Sequence, residues 1–261
     1  MKISYKKLIK ILLEKSIIGI GENNHGSNCF FEKRIEIINS LYQINNNIII
    51  ALEESNKNLQ ESNITELFPM HQSIVFMKFC IFCKNKKIPI VGIDNYTGDS
   101  GCMRNKYMAN NILKLNKENP NKIIIFLAFN SHISKYNKSM KPNKESQLSG
   151  YNCRKDTGYY LHKELGTKYF SLAIIMKYGK TLGKKIGDYK YKTFSFSNTK
   201  NIQKISEGIY FKHKNLIYSG MGPFYYDKYE TKWHDSFIII ENCKYQHILS
   251  KRKKLPQIIS Y

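Results

Sequence analysis

The sequence predicts an α/β fold, a mainly parallel sheet flanked by helices on both faces, with an irregular C-terminal third. Two observations predict it. Short runs rich in Ile and Val recur through the first half. They are continuous rather than alternating, as in strands covered on both faces. Between them lie segments with helical spacing, and repeated strand–helix–strand order argues for a parallel sheet.

Taken in order, the N-terminal MKISYKKLIKILLEK has an apolar run broken by Lys10 and no small-residue cleavage site after it. It reads as an amphipathic helix rather than a signal peptide. SIIGIG (16–21) is the first buried strand, and CFFEKRIEIINSLYQ (29–43) the helix after it, with Ser27 or Asn28 available to cap it. NIIIALE (47–53), IPIVGID (88–94) and KIIIFLAF (122–129) are further strands. The 70–87 segment and MRNKYMANNILKLNKE (103–118) are the helices between them. A polar stretch, 134–156, reads as a long loop, and KYFSLAIIMKYG (168–179) and SFIIIEN (236–242) as two more strands. Past Lys180 the periodicity fades. No internal repeat or linker divides the chain, so residues 1–261 are expected to form a single domain.

Composition narrows the function. Hydrophobic residues at 42% and aromatics at 13% exclude a disordered chain. No apolar stretch approaches the roughly 20 residues of a membrane helix. The net charge of +22 suggests phosphate-bearing partners, but lysines are spread along the chain and densest only at Lys251–Lys254. There is no nucleic-acid motif and no interleaved basic–aromatic array, so the charge is read as solubility and weak nonspecific attraction. Of six cysteines, only Cys80 and Cys83 have ligand-like spacing. They sit in a helical pattern without a second pair and read as buried structural thiols. The default compartment is a reducing cytoplasm, in which Cys29 is packing and no disulfide framework is expected.

In open α/β sheets, sites form beyond the carboxyl ends of the strands. There the sequence places Glu22 and His25, Glu53 and Glu54, Asp94, and Asn130 and His132. Arg34 falls within the apolar stripe of its helix, among Phe30, Phe31, Ile35, Ile38, Leu41 and Tyr42. A buried guanidinium stays charged and needs a carboxylate; Glu22 and Glu53 are the candidates. An imidazole oriented by a carboxylate, with an ordinary pKa of about 6.5, suits general-base work near neutral pH. No Gly-x-Ser-x-Gly elbow offers a covalent nucleophile. His234 and Asp235 are adjacent on a strand pattern and should diverge, and Tyr225 and Tyr226 mark an aromatic patch.

These residues resemble the erythromycin esterase family, related to succinoglycan-biosynthesis-type proteins. The resemblance rests on Gly21-Glu22-Asn23-Asn24-His25-Gly26 with Arg34 nine residues past the histidine, and on Ala51-Leu52-Glu53. It continues in Arg104-Asn105-Lys106-Tyr107-Met108-Ala109-Asn110-Asn111 and Ala128-Phe129-Asn130-Ser131-His132. Four short motifs in this order on this frame are specific together. They cover the first half, with a weaker echo through Gly150–Gly187, where LHKELGTKYFSLAIIM is similar to the family's Leu-Gly-x-x-Tyr strand entry. The resemblance implies hydrolysis of a small-molecule ester or lactone by activated water, with no cofactor and no obligatory metal. It makes His25 the base, Glu22 its holder, Arg34 and Glu53 a buried pair, and His132 the group that polarises the carbonyl or protonates the leaving alcohol. Arg104 and Asn130 would contact substrate. Two departures stand out: Asn105 replaces an aspartate, and Phe129 replaces a histidine, for which His71 or His162 could substitute. The 54–104 segment also leaves little room for the helical insertion that encloses a macrolide. Alternative readings are a metal- or haem-binding relative, using His25, Glu22 and His132 as ligands, and a noncatalytic binding protein. The oligomeric state is left open.

Overall fold

A computed structural model describes residues 1–25, 27–61, 67, 71–95, 101–136, 155–183, 192–211, 216–221 and 226–244. The Lys251–Lys254 cluster, Tyr225, Cys153, Gly26 and most of the 134–156 loop lie outside them.

The strands are β1 (Lys2–Ile3), β2 (Ile17–Glu22), β3 (Ile48–Leu52), β4 (Ile90–Gly92), β5 (Ile123–Phe129), β6 (Tyr169–Gly183), β7 (Lys192–Ser197), β8 (Gly208–Phe211), β9 (Ile217–Met221), β10 (Tyr226–Glu230) and β11 (Ser236–Cys243). The helices used below are α1 (Tyr5–Leu13), α2 (Cys29–Tyr42), α3 (Asn56–Glu61), α4 (Ile74–Asn85), α5 (Gly101–Glu118) and α6 (Thr157–Leu165). The main sheet runs β1-β8-β11-β6-β2-β5-β3-β4, with β7 beside β6. From β11 to β4 every pairing is parallel; β1, β8 and β7 join antiparallel. The α/β class and the helices on both faces are as the sequence predicts.

The continuous apolar runs explain the layering. Alternate residues of a strand point to opposite faces. On β3, Ile48, Ile50 and Leu52 join the core under α1, α2 and α4. Ile49 and Ala51 join the core under α5 and α6, with Met108, Ile112 and Leu161. α1 begins at Ser4, whose Oγ accepts from Lys7 N at 3.3 Å, and buries Leu8, Ile9 and Leu12. The C-terminal third is less irregular than expected. It contributes the short strands β7 to β10, β9 and β10 forming a two-stranded sheet, and packs Trp233, Tyr218 and Ile202 on Ala173 and Ile175 of β6. Four- to six-residue strands are too short to establish a period.

One crosslink departs from expectation. Cys29, opening α2, is disulfide-bonded to Cys243, ending β11, with Cα atoms 5.6 Å apart. Cys102 is disulfide-bonded as well. The expectation of free thiols at these positions is therefore corrected; Cys29 and Cys243 lie 214 positions apart in the sequence, and the folded sheet brings them together. Cys80 and Cys83 are free and buried on α4, as expected, and burial pushes both thiols up. Among the described residues, no helix is long and apolar enough to cross a membrane.

Candidate active site

The strands deliver the polar residues to one edge. Glu22 ends β2, level with Phe129 at the end of β5. Asn130 N donates to Glu22 O at 2.8 Å, so the turn carrying His132 folds directly over the end of β2. Gly21 is required there: a Cβ would collide with the Asn130 amide oxygen and Ile133.

Glu22 points to the α2 face. Its Oε2 accepts from Arg34 Nη1 at 2.8 Å, and its Oε1 accepts from His25 Nδ1 at 2.6 Å. Arg34 is 2% exposed, as its place in the apolar stripe implies. Its Nη2 donates to the carbonyls of Ile20 at 3.2 Å and Ala128 at 2.8 Å, riveting the ends of β2 and β5. Burial pulls the guanidinium pKa down, against the attraction of Glu22 and Glu53. Of Glu22, Arg34 and His25, His25 is the most open, its side chain 14% exposed, and its ring lies 4.7 Å from that of Phe129. With Nδ1–H committed to Glu22, Nε2 is left as the basic atom.

The loop that carries His25 is tied to the C-terminal third. Asn23 Nδ2 donates to Ser219 O at 2.8 Å, and its Oδ1 accepts from Met176 N at 3.0 Å. Ser27 Oγ donates to Lys180 O at 3.1 Å, and Asn28 N to Lys244 O at 3.0 Å. Asn28 stands at the N-cap of α2 but makes no side-chain cap bond.

Glu53 points to the other face. Its Oε1 accepts from Arg104 Nη2 at 2.8 Å and lies 3.3 Å from His132 Nε2; its Oε2 accepts from Phe129 N at 3.2 Å. Burial raises its pKa, but His132, Arg104 and His25 together outweigh that and hold the carboxyl well below the usual range. The expected Arg34–Glu53 pair is therefore corrected: Arg34 pairs with Glu22, and Glu53 with Arg104 and His132. Alternation along β3 is the reason, because Glu53 shares the face of Ala51, away from α2. Arg104 also binds Asp94, its Nε donating to Oδ2 at 2.8 Å. Its side chain is 15% exposed, and Nη1 lies 3.4 Å from His132 Nε2. Asn130, expected to contact substrate, is fully buried, and its Nδ2 donates to Ile174 O at 3.0 Å. Its amide fastens β5 to β6.

His71, expected only as a stand-in for the histidine missing at 129, has a carboxylate partner that no local pattern marks. His71 Nδ1 lies 3.0 Å from Glu54 Oε2, and its ring packs on Phe76 at 4.7 Å and Phe31 at 6.2 Å. His162 instead meets Gly166 O at 3.1 Å. The Glu53-Glu54 doublet is the one signal available: consecutive residues at a strand end serve opposite faces. Also missed was the bond from His132 Nδ1 to Asn105 Oδ1 at 2.7 Å. His234 and Asp235 do not pair with each other, but both reach Ser171, His234 at the hydroxyl and Asp235 at the backbone N–H; His234 also meets Tyr218 and Asp235 meets Lys135.

Three imidazole–carboxylate pairs thus stand along this edge: His25–Glu22, His71–Glu54 and His132–Glu53. Among the described residues, no group of three or more His, Cys, Asp or Glu is disposed to hold a metal ion. Guanidinium groups occupy the carboxylate oxygens that would bind one.

No protein-family model and no curated protein matches the sequence. Solved structures do match in shape. A succinoglycan biosynthesis protein aligns with a TM-score of 0.73 at 13% identity, over 94% of this chain and 92% of its own. A mutant of the erythromycin esterase EreC, in its open conformation, aligns with a TM-score of 0.68 at 11% identity, over 92% of this chain and 93% of its own. The fold is that of the erythromycin esterases. A Bacillus cereus protein shares it, with a TM-score of 0.67 at 13% identity over 94% of this chain and 93% of its own. The Gly-Glu-x-x-His, Ala-Leu-Glu, Arg-Asn and Phe-Asn-x-His segments all meet at one edge of this erythromycin esterase fold.

Proposed function

We propose that the protein hydrolyses an ester or lactone of a small molecule with a water activated by His25. The observation that carries this reading is the Glu22–His25 pair, with Nδ1 held at 2.6 Å and Nε2 left as the basic atom of a side chain that is 14% exposed. His25 Nε2 takes a proton from water as the oxygen attacks the carbonyl carbon. Glu22, paired with Arg34 through its other oxygen, stands beside the imidazolium that forms and favours it. On the far side of Glu53, His132 gives a proton to the departing alkoxide, and Arg104 supplies positive charge for the oxyanion. The products are a carboxylic acid and an alcohol, and the proton account closes when His25 and His132 exchange protons with solvent.

The test is a panel of esters and lactones, run with and without a chelator, with His25→Ala as the blank. Hydrolysis of one class by the wild type, absent in the variant and indifferent to chelator, supports the reading. No His25-dependent hydrolysis across the panel overturns it. A noncatalytic binding role is the second reading, and Phe129 favours it: a benzene ring packs on His25 where the resembled family carries an imidazole.

A further inference from the structure

We infer that Asn105 and Asp156 are positioning residues that fix the tautomer of His132; the catalytic use of that tautomer rests on the proton-donor role proposed above.

Asp156 stands at the N-cap of α6, where an aspartate ordinarily accepts from a first-turn N–H. Its side chain makes no cap bond. Instead, Oδ1 accepts from Asn105 Nδ2 at 3.2 Å, with both residues buried. The Lys155 carbonyl takes the same amide group at 3.4 Å. A carboxylate and a carbonyl can only accept, so the NH2 of Asn105 must face them. Its Oδ1 must then face the other way, toward His132 Nδ1 at 2.7 Å and the Thr157 hydroxyl at 3.3 Å. An amide oxygen cannot donate, so Nδ1 of His132 carries a hydrogen in either protonation state.

Nε2 is then the atom that gains and loses the proton. It lies 3.3 Å from Glu53 Oε1 and 3.4 Å from Arg104 Nη1. When protonated it donates to Glu53. When bare it accepts from Arg104. Both partners are in place, so the exchange requires no movement of the ring. This gives the Asn105 departure a physical account. An aspartate at 105 would set a second carboxylate against Asp156; the amide relays Asp156 to the imidazole without that repulsion.

Histidine side-chain 15N NMR tests this, with His132 assigned by its loss in His132→Gln. The wild type should show the neutral ring as the Nδ1–H tautomer. Asn105→Leu removes the acceptor, and the hydrogen should move to Nε2, where Glu53 accepts it. Asp156→Ala removes the nearer acceptor and leaves only the Lys155 carbonyl at 3.4 Å, a bond too long to hold the amide by itself, and should shift the tautomer the same way, whereas Asp156→Asn keeps an acceptor and should retain Nδ1–H. An unchanged tautomer in Asp156→Ala overturns the inference, even if Asn105→Leu does not fold. The readout needs no substrate. A protein that hydrolyses nothing yet shifts tautomer as expected would overturn the proposed hydrolysis and sustain this inference.

Discussion

His25 and Glu22 share a hydrogen bond of 2.6 Å, and the same carboxylate holds Arg34 at 2.8 Å through its other oxygen. One acid thus orients the candidate base and neutralises a buried cation. The two functions separate under mutation. His25→Ala is expected to lower hydrolysis of a cleaved ester by about 10²–10⁴-fold. Its melting temperature should stay near wild type, because the ring is partly open to solvent.

Arg34→Met should do the opposite. It leaves Glu22 buried without its cation and frees the Ile20 and Ala128 carbonyls. Breaking a buried pair in this way costs about 3–5 kcal/mol. Urea unfolding measures it, and a loss below about 1 kcal/mol would argue against the rivet between β2 and β5.

Phe129→His returns an imidazole to the position beside His25. Burying it in a space shaped for a benzene ring should cost about 1–3 kcal/mol. Hydrolysis should rise on any ester the wild type cleaves slowly. Equal rates for the two proteins on the same panel would mean that the missing imidazole does not limit the site.

Two groups weaken the fold in acid. Glu53 binds its proton more weakly in the fold than in the unfolded chain. Its contribution is full above the unfolded value of about 4.3 and is lost as pH falls through the lower folded value. Glu53→Gln should therefore be destabilised at pH 7, and the gap from wild type should close on acidification. Burial lowers His234 from 6.5 to about 3. Its neutral form is the folded one, so stability is intact above the unfolded pKa and falls as pH drops toward the folded value, by up to about 1.4 kcal/mol per pH unit. His234→Gln should flatten that slope in unfolding free energies measured from pH 7 to pH 4.

Reducing the Cys29–Cys243 bond should lower stability by about 2–5 kcal/mol. Hydrogen exchange at residues 22–29 should rise with it, since the His25 loop loses its tie to β11. Thermal melts and exchange, each with and without a dithiol, check both effects; protection unchanged by reduction would show that the side-chain amide bonds of Asn23 and the backbone bond of Asn28 hold the loop alone.

The sheet was legible because its strands are unbroken Ile and Val runs, and Arg34 was legible because a cation in an apolar stripe has few options. The partner of Glu53 was misread although the means to place it were present. Counting back from Glu53 through Ala51 to Ile49 gives the face opposite to α2, and so Arg104 rather than Arg34. Asn130 is hard to read for a different reason. A polar residue after a strand looks the same in sequence whether it faces a cleft or fastens the next strand. The pairing of Cys29 with Cys243, and the meeting of Asn105 with Asp156, depend on contacts between distant segments, and no local pattern encodes them.

The Cys29–Cys243 bond also gives the polypeptide an unusual response to cutting. It closes most of the chain into a covalent ring. A single peptide cleavage anywhere between those cysteines yields two pieces that migrate as one species on a denaturing gel until a thiol is added.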